Sequence, residues 1–333
     1  MTNADQSEKN TLLTVEGLKT YFFTSQGTAK AVDGISFDIR DGETLGIVGE
    51  SGCGKSVTGL SILGLITDPP GRIIEGRVLF QGKNLLRYSE NQMAKIRGNQ
   101  ISMIFQEPMT SLNPVFSIGF QLSEMFQLHM RLGKKAAMER SVEMLRLVHI
   151  PSPEKRIHEY PHELSGGMRQ RAMIAMALSC NPQLLIADEP STALDVTIQA
   201  QILELMDELK RKLGMAMILI THDLGIVANT VERILVMYAG KIVEAGDVYS
   251  IFEDPLHPYT QGLLRAVPRI DHTTDAPTER LYEIRGVVPS MYRLPEGCNF
   301  YPRCEKREDR CKAKAPEMIE MSAGHHVSCW KAG

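Results

Sequence analysis

Short apolar runs alternate along the chain with stretches of helical period. Thr44–Val48 (TLGIV), Leu184–Ala187 (LLIA), Met217–Ile220 (MILI) and Ile234–Met237 (ILVM) are continuously apolar and bounded by Gly, Pro or charge. Runs of that length suit strands buried on both faces. Between them, Ile198, Ile202, Leu205, Met206, Leu209 and Leu213 recur at helical spacing with Asp and Lys on the other side, which predicts an amphipathic helix. Strand–helix alternation of this kind predicts an α/β core with parallel strands. The stretch from about 108 to 173 breaks the pattern. It is rich in Met and Leu, has few β-branched runs, and reads as an inserted helical subdomain. After Asp254 the pattern turns irregular and rich in Pro, Arg and Cys. The expected layout is a flexible tail over 1–10, a core over 11–254 with a β-rich start, and an extension over 255–333.

Composition narrows the class. The chain has 333 residues, enough for about two domains at roughly 150 residues each. With 43% hydrophobic and 23% charged residues it has the globular mix, which excludes bulk disorder. A net charge of −3 argues against a partner held by basic charge, so no nucleic acid is expected. Apolar stretches such as Val57–Ile66 fall short of the roughly 18 residues a membrane span needs. Met1–Asn10 is polar and offers no signal core. A cytoplasmic chain is the expectation.

Gly49-Glu50-Ser51-Gly52-Cys53-Gly54-Lys55-Ser56 matches G-x-x-x-x-G-K-[ST], with an apolar strand before it and a helical pattern through Val57 after it. Glycines in such a loop let backbone N–H groups converge on phosphate oxygens, and the following helix adds its positive end. Lys55 is expected to bring a point charge to the β- and γ-phosphates, and the Ser56 hydroxyl can ligate Mg²⁺. The residues Gly49, Ser51, Gly52, Cys53, Gly54, Lys55, Ser56 and Val57 are therefore candidate ATP contacts. Cys53 lies at a helix N-terminus, where thiol pKa values tend to fall, so alkylation there is expected to block ATP binding. Leu184–Glu189 (LLIADE) ends an apolar strand in two carboxylates. Asp188 is placed to hold Mg²⁺ through water, and Glu189 to act as general base on the attacking water.

Leu164-Ser165-Gly166-Gly167-Met168 lies about 20 residues before the Asp188 strand. With it the chain resembles the ATP-binding-cassette family of transport ATPases over about Leu12 to Asp254. The family signature usually ends in Gln where Met168 stands, but Ser165, Gly166 and Gly167 keep its pattern. The resemblance implies a P-loop NTPase (RecA-like) core and a signature that contacts ATP in trans. It implies that Gln106, after the strand-like Ile101–Phe105, reaches Mg²⁺ and the lytic water and hinges the helical insert. His222 resembles the switch histidine at the γ-phosphate. Ser191–Asp195 resembles the loop through which two ATPase subunits touch. Phe22 resembles the aromatic that stacks on adenine, with Tyr21 as the alternative, and Val32 belongs to the same site.

His257-Pro258-Tyr259-Thr260, Gly286-Val287-Val288-Pro289 and the cysteine-rich tail, with Met103–Pro114 and Ala187–Ala200, extend the likeness to ATPase subunits of bacterial dipeptide and oligopeptide importers. That likeness implies a second related ATPase or a self-dimer, two permease subunits, an extracytoplasmic peptide-binding protein, and work at the cytoplasmic face of the membrane. Importers of nickel or other small solutes share the layout and stay open as an alternative. A non-transport cassette acting on nucleic acid is less favoured, because the chain has one cassette, no sustained heptads and no basic patch.

Cys298, Cys304, Cys311 and Cys329 crowd the tail, amid Pro, Gly and charge with little apolar periodicity. Cytosolic thiols stay reduced, so metal binding is preferred to a disulfide framework. Four cysteines suit a [4Fe–4S] cluster or a tetrahedral Zn²⁺. The spacing lacks the close pairs of zinc ribbons, and with the peptide-importer likeness it favours [4Fe–4S]. His325 and His326 lie close to Cys329 and keep zinc open as the alternative.

Overall fold

The computed structural model describes residues 10–106, 111–191, 195–267 and 282–332. The chain opens with three strands, β1 (Thr11–Thr24), β2 (Gly27–Arg40) and β3 (Thr44–Val48), and the phosphate loop leads into helix α1 (Lys55–Ile62). Strands β4 (Gly71–Phe80), β5 (Lys83–Asn84) and β6 (Ile101–Ile104) follow. A helical run then comprises α2 (Ile118–Met130), α3 (Lys134–Leu147) and α4 (Gly166–Leu178). The chain returns through β7 (Leu184–Asp188), α5 (Val196–Leu213), β8 (Ala216–Thr221), α6 (Leu224–Thr230), β9 (Arg233–Tyr238) and β10 (Lys241–Asp247). The extension holds α7 (Pro258–Ala266), β11 (Ile319–Ser322) and β12 (His325–Val327). The chain groups into two compact units. One is built chiefly from Phe80–Ile220, the other from Thr14–Asp38, Thr44–Leu79 and the chain from Thr221 onward.

In the first unit β6, β7 and β8 pair in parallel, with Ile101 opposite Leu184 and Asp188 opposite Ile220. Every residue of β7 and β8 is buried, as the continuous apolar runs predict. Helix α5 starts where the Asp195 carboxylate accepts the Ile198 N–H at 2.9 Å and stops at Gly214 in the left-handed region. It buries Ile202, Leu205, Met206 and Leu209, the stripe read from the sequence. The insert is helical over α2 to α4, and residues 107–110 lie outside the described residues.

In the second unit β3 pairs with β9 in parallel, with Val48 opposite Val236. A two-residue turn at Ala239 and Gly240, both with positive φ, returns β9 into antiparallel β10. Strand β12 adds to β10 with Glu244 opposite Val327, and β11 adds to β12. The expectation of an irregular extension is therefore corrected. Its short strands continue a sheet, a feature that four-residue and three-residue segments give no periodicity to announce. Strands β2, β1 and β4 lie side by side in a separate sheet, the β-rich start that was expected. Among the described residues no helix is long and apolar enough to cross a membrane.

Candidate functional site

The second unit carries the phosphate loop. Gly49 and Gly54 both take positive φ, and a Cβ on either would collide with a carbonyl, that of Met237 or Ala31. Only glycine satisfies both constraints. The Lys55 ammonium folds over the loop and donates to the carbonyls of Gly49 at 2.8 Å and Glu50 at 3.1 Å. Ser56 and Val57 sit half-buried in the first turn of α1, and Ser51 and Gly52 are exposed at the loop's crest. A line of loop donors, a buried cation and a helix start is what a polyphosphate requires.

Cys53 departs from its expected reactivity. Its side chain is 1% exposed, and burial pushes the thiol pKa up despite the Lys55 ammonium 3.9 Å away. Desolvation of a thiolate outweighs the helix end here.

Val32 is fully buried in β2, so its side chain is a core residue of the strand beside the loop. Phe22 is half-buried in β1 and packs where a Cβ on Gly71 would meet its ring at 2.8 Å. Tyr21 donates its hydroxyl to Asp33 at 2.5 Å, and burial together with that carboxylate holds its pKa above the usual phenol range. His222 is exposed just before α6, whose first turn is capped by Asp223 accepting from Gly225 and Ile226.

The first unit carries the carboxylates. Asp188 is buried at the end of β7, and Glu189 follows it in the left-handed region, φ 47°. Its N–H donates to the Ile220 carbonyl at 2.8 Å. Gln106 donates from Nε2 to Glu189 Oε2 at 3.0 Å, so a glutamine and a carboxylate 83 residues apart in sequence meet at the ends of adjacent strands. A non-glycine held in that region is the kind of outlier found at working sites. Ser165 caps α4 by accepting the Met168 N–H at 3.3 Å, which leaves Gly166 and Gly167 in its first turn. Gln170 on the same helix donates to the Pro190 carbonyl, tying the signature helix to the segment that carries Glu189 past the end of β7. Thr192–Leu194, in the stretch expected to touch a second subunit, lie outside the described residues.

Sequence reasoning missed how the extension reaches the loop. Tyr259 of α7 is fully buried, and its hydroxyl accepts the Glu50 N–H at 2.8 Å. Its ring packs on Tyr238 and Phe300, with centroids 4.6 and 5.5 Å away. The histidine-proline-tyrosine motif was visible as a motif, but nothing local ties it to a loop 209 residues earlier.

The four tail cysteines converge. Cys298, Cys304, Cys311 and Cys329 line one cavity with Pro316 and Trp330, and the Cys298 N–H donates to the Cys311 carbonyl at 2.8 Å. Burial, and then the neighbouring thiols, push the Cys298 pKa up to about 11. All four are free thiols, and among the described residues no three His, Cys, Asp or Glu stand in ligand geometry for an ion. The four thiols thus share a cavity, but the described residues hold no preformed ligand cage for the expected metal centre. His325 is also corrected. It does not line the thiol cavity, and its Nε2 pairs instead with buried Glu244 at 2.8 Å.

Residues 32–192 match the family model for an ABC transporter, and residues 243–311 match the oligopeptide/dipeptide transporter C-terminal region. The chain is 52% identical over 321 residues to the oligopeptide transport ATP-binding protein AppD of Bacillus subtilis (strain 168), covering 96% of this chain and 97% of that protein. It is 49% identical over 318 residues to the dipeptide transport ATP-binding protein DppD of Escherichia coli (strain K12), covering 96% of each. Among solved structures, cbiO1 from Clostridium perfringens, part of the ABC transporter complex cbiONQ, superposes with a TM-score of 0.62 at 30% identity, over 74% of this chain and 92% of that one. A dimeric MJ0796 cassette bound to ADP and Pi superposes at 0.64 and 24% identity over 71% of this chain and 98% of that one, a likeness of fold.

Proposed function

This chain belongs to the ABC transporter family and is the ATP-binding subunit of a dipeptide or oligopeptide importer, hydrolysing ATP to drive transport; from that premise we propose how its residues divide the work. Lys55 and the loop N–H groups hold the β- and γ-phosphates, and Phe22 faces the base. Ser56 and Asp188, with Gln106, offer the hard oxygen donors that Mg²⁺ takes. Held by those residues, Mg²⁺ would supply positive charge to offset the negative charge of the phosphates. Glu189 accepts the proton of the attacking water, Gln106 holds that carboxylate in place, and His222 contacts the γ-phosphate. Ser165, Gly166 and Gly167, at the positive end of α4, meet the γ-phosphate of a nucleotide on the facing subunit. ATP then favours the dimer and hydrolysis releases it.

The loop at 49–56, with its buried lysine and two glycines that no other residue could replace, carries this reading. Glu189→Gln should bind ATP and form a stable dimer by size exclusion while its turnover falls about 10²- to 10⁴-fold, the usual worth of a general base. Full turnover in that variant would remove Glu189 from the role. Lys55→Ala should lose nucleotide affinity instead.

The partners follow from the peptide-importer likeness: a second related ATPase or a copy of this chain, two permeases, and an extracytoplasmic peptide-binding protein. The chain works at the cytoplasmic face of the membrane through the permeases. The helical insert, hinged at Gln106, carries the motion to them. Peptide is favoured over nickel as the cargo by the match of 243–311.

The thiol cavity is proposed to hold a [4Fe–4S] cluster, with Zn²⁺ as the alternative. Four cysteine sulfurs lining one cavity are the soft donors that a thiolate-bound metal takes. Anaerobically purified protein should carry about four irons per chain and absorb broadly near roughly 400 nm. One tightly held zinc and no iron would decide for the alternative.

A further inference from the structure

Glu50, second in the phosphate loop, is held from three directions. Its N–H donates to the Tyr259 hydroxyl at 2.8 Å, and its carbonyl accepts from Lys55 at 3.1 Å. Its carboxylate receives a fork from Arg303, Nη1 to Oε2 at 2.6 Å and Nη2 to Oε1 at 3.0 Å. Arg303 stands next to Cys304, and its side chain is only 4% exposed, against 29% for that of Glu50. The rest of the guanidinium is committed as well. Nε donates to the Arg285 carbonyl at 3.2 Å, Nη2 to that of Ile284 at 3.0 Å, and Nη1 lies 3.5 Å from the Tyr238 hydroxyl. Side chain and carbonyls together leave the guanidinium one orientation, the one that meets Glu50. A planar fork of this kind fixes a carboxylate in angle as well as position, which an ammonium cannot do.

We propose that Arg303 is a positioning residue of the nucleotide site, delivered by the cysteine-bearing extension to neutralise and immobilise Glu50 inside the phosphate loop. The inference rests on the assignment of 49–56 as the nucleotide loop. A free carboxylate at Glu50 would stand in the loop that receives a polyanion, and repulsion between like charges at that range opposes binding. Arg303 cancels that charge and, with Tyr259, holds the Glu50 backbone whose carbonyl takes the Lys55 ammonium. The extension thereby acts on nucleotide affinity without touching the nucleotide, and its local order is transmitted to the loop through Arg303 and Tyr259.

The test measures the dissociation constant of a fluorescent ATP analogue with the full-length chain. Arg303→Ala should bind about tenfold more weakly, a loss of about 1.4 kcal/mol. Arg303→Lys should fall between Arg303→Ala and the parent, because it keeps the charge and loses the fork. Adding Glu50→Gln to Arg303→Ala should recover most of the affinity, since the uncompensated carboxylate is gone. A residue that only supports the fold would give no such rescue. Parent-like binding by Arg303→Ala, or a double variant no better than Arg303→Ala alone, would overturn the proposal. Should Arg303→Ala not fold, Arg303→Lys with and without Glu50→Gln carries the test, and parent-like affinity there overturns it equally. Lys55→Ala serves as the control. Retained binding in Lys55→Ala would overturn the loop assignment and this inference with it, whereas lost binding there beside unchanged Arg303 variants would overturn this inference alone.

Discussion

Acid should loosen the contact between the extension and the phosphate loop, and one residue sets the pH. His257 is 1% exposed at the start of α7, where its Nδ1 accepts the Tyr259 N–H at 3.0 Å. Its own N–H donates to Glu244, and its ring lies 5.7 Å from that of Phe300. Protonation would bury a charge and turn the accepting nitrogen into a donor facing another donor. Burial accordingly pushes its pKa down to about 3, from 6.5 for a free imidazole. Between those values the unfolded chain binds the proton and the folded chain does not. Stability is therefore complete above about pH 6.5 and falls by about 1.4 kcal/mol per unit as the pH drops towards 3. At pH 5 the loss is about 2 kcal/mol, a large share of the roughly 5–15 kcal/mol that holds a domain folded. The comparison is His257→Asn, whose side chain can still cap α7 but does not titrate. Urea unfolding of both proteins at pH 7.5 and 5.0 cancels every carboxylate they share. The parent should lose about 2 kcal/mol more than the variant over that interval. Parallel losses would refute the buried neutral histidine as the source.

Three further outcomes follow from the packing. Gly54→Ala forces a Cβ into the Ala31 carbonyl at a φ of 108°, so nucleotide affinity measured by titration should fall at least about tenfold, and near-parent affinity would contradict the loop geometry. Glu244→Ala strips three donors of their acceptor, the N–H groups of Leu256 and His257 and the His325 ring; denaturation should show a loss of about 3–5 kcal/mol, and a change under about 1 kcal/mol would contradict it. Cys53 in the folded chain should react with iodoacetamide at pH 8 far more slowly than the same thiol in urea, because burial keeps it protonated and covered; equal rates would restore the exposed, reactive thiol.

The parts of the site that lie within a few residues of one another were legible from the chain. The strand before Gly49, the glycines that admit carbonyls, and the LLIADE strand end all declare themselves by local pattern, and each stands where it was expected. Helix α5 was read to within two residues of its start because its apolar stripe is local, whereas the capping role of Asp195 came only from the structure. The meaning of Arg303 was not legible, since it depends on a carboxylate 253 residues away. His325 offered an imidazole near Cys329, and only the sheet pairing of β12 with β10 reveals that Glu244 takes it. Cys53 misled for a related reason. Position at a helix start is visible in sequence, but burial of the sulfur beside Gly49 and Met237 is a tertiary property.

ATP-driven peptide uptake tests the central claim most directly. Cells lacking this chain, supplied with either the parent or Glu189→Gln, would be given a radiolabelled dipeptide or oligopeptide and followed for accumulation. The parent should restore uptake, while Glu189→Gln, although able to bind ATP, should leave it at the level of the deletion. Uptake that survives the deletion, or that Glu189→Gln restores in full, would contradict a peptide importer driven by hydrolysis at this site.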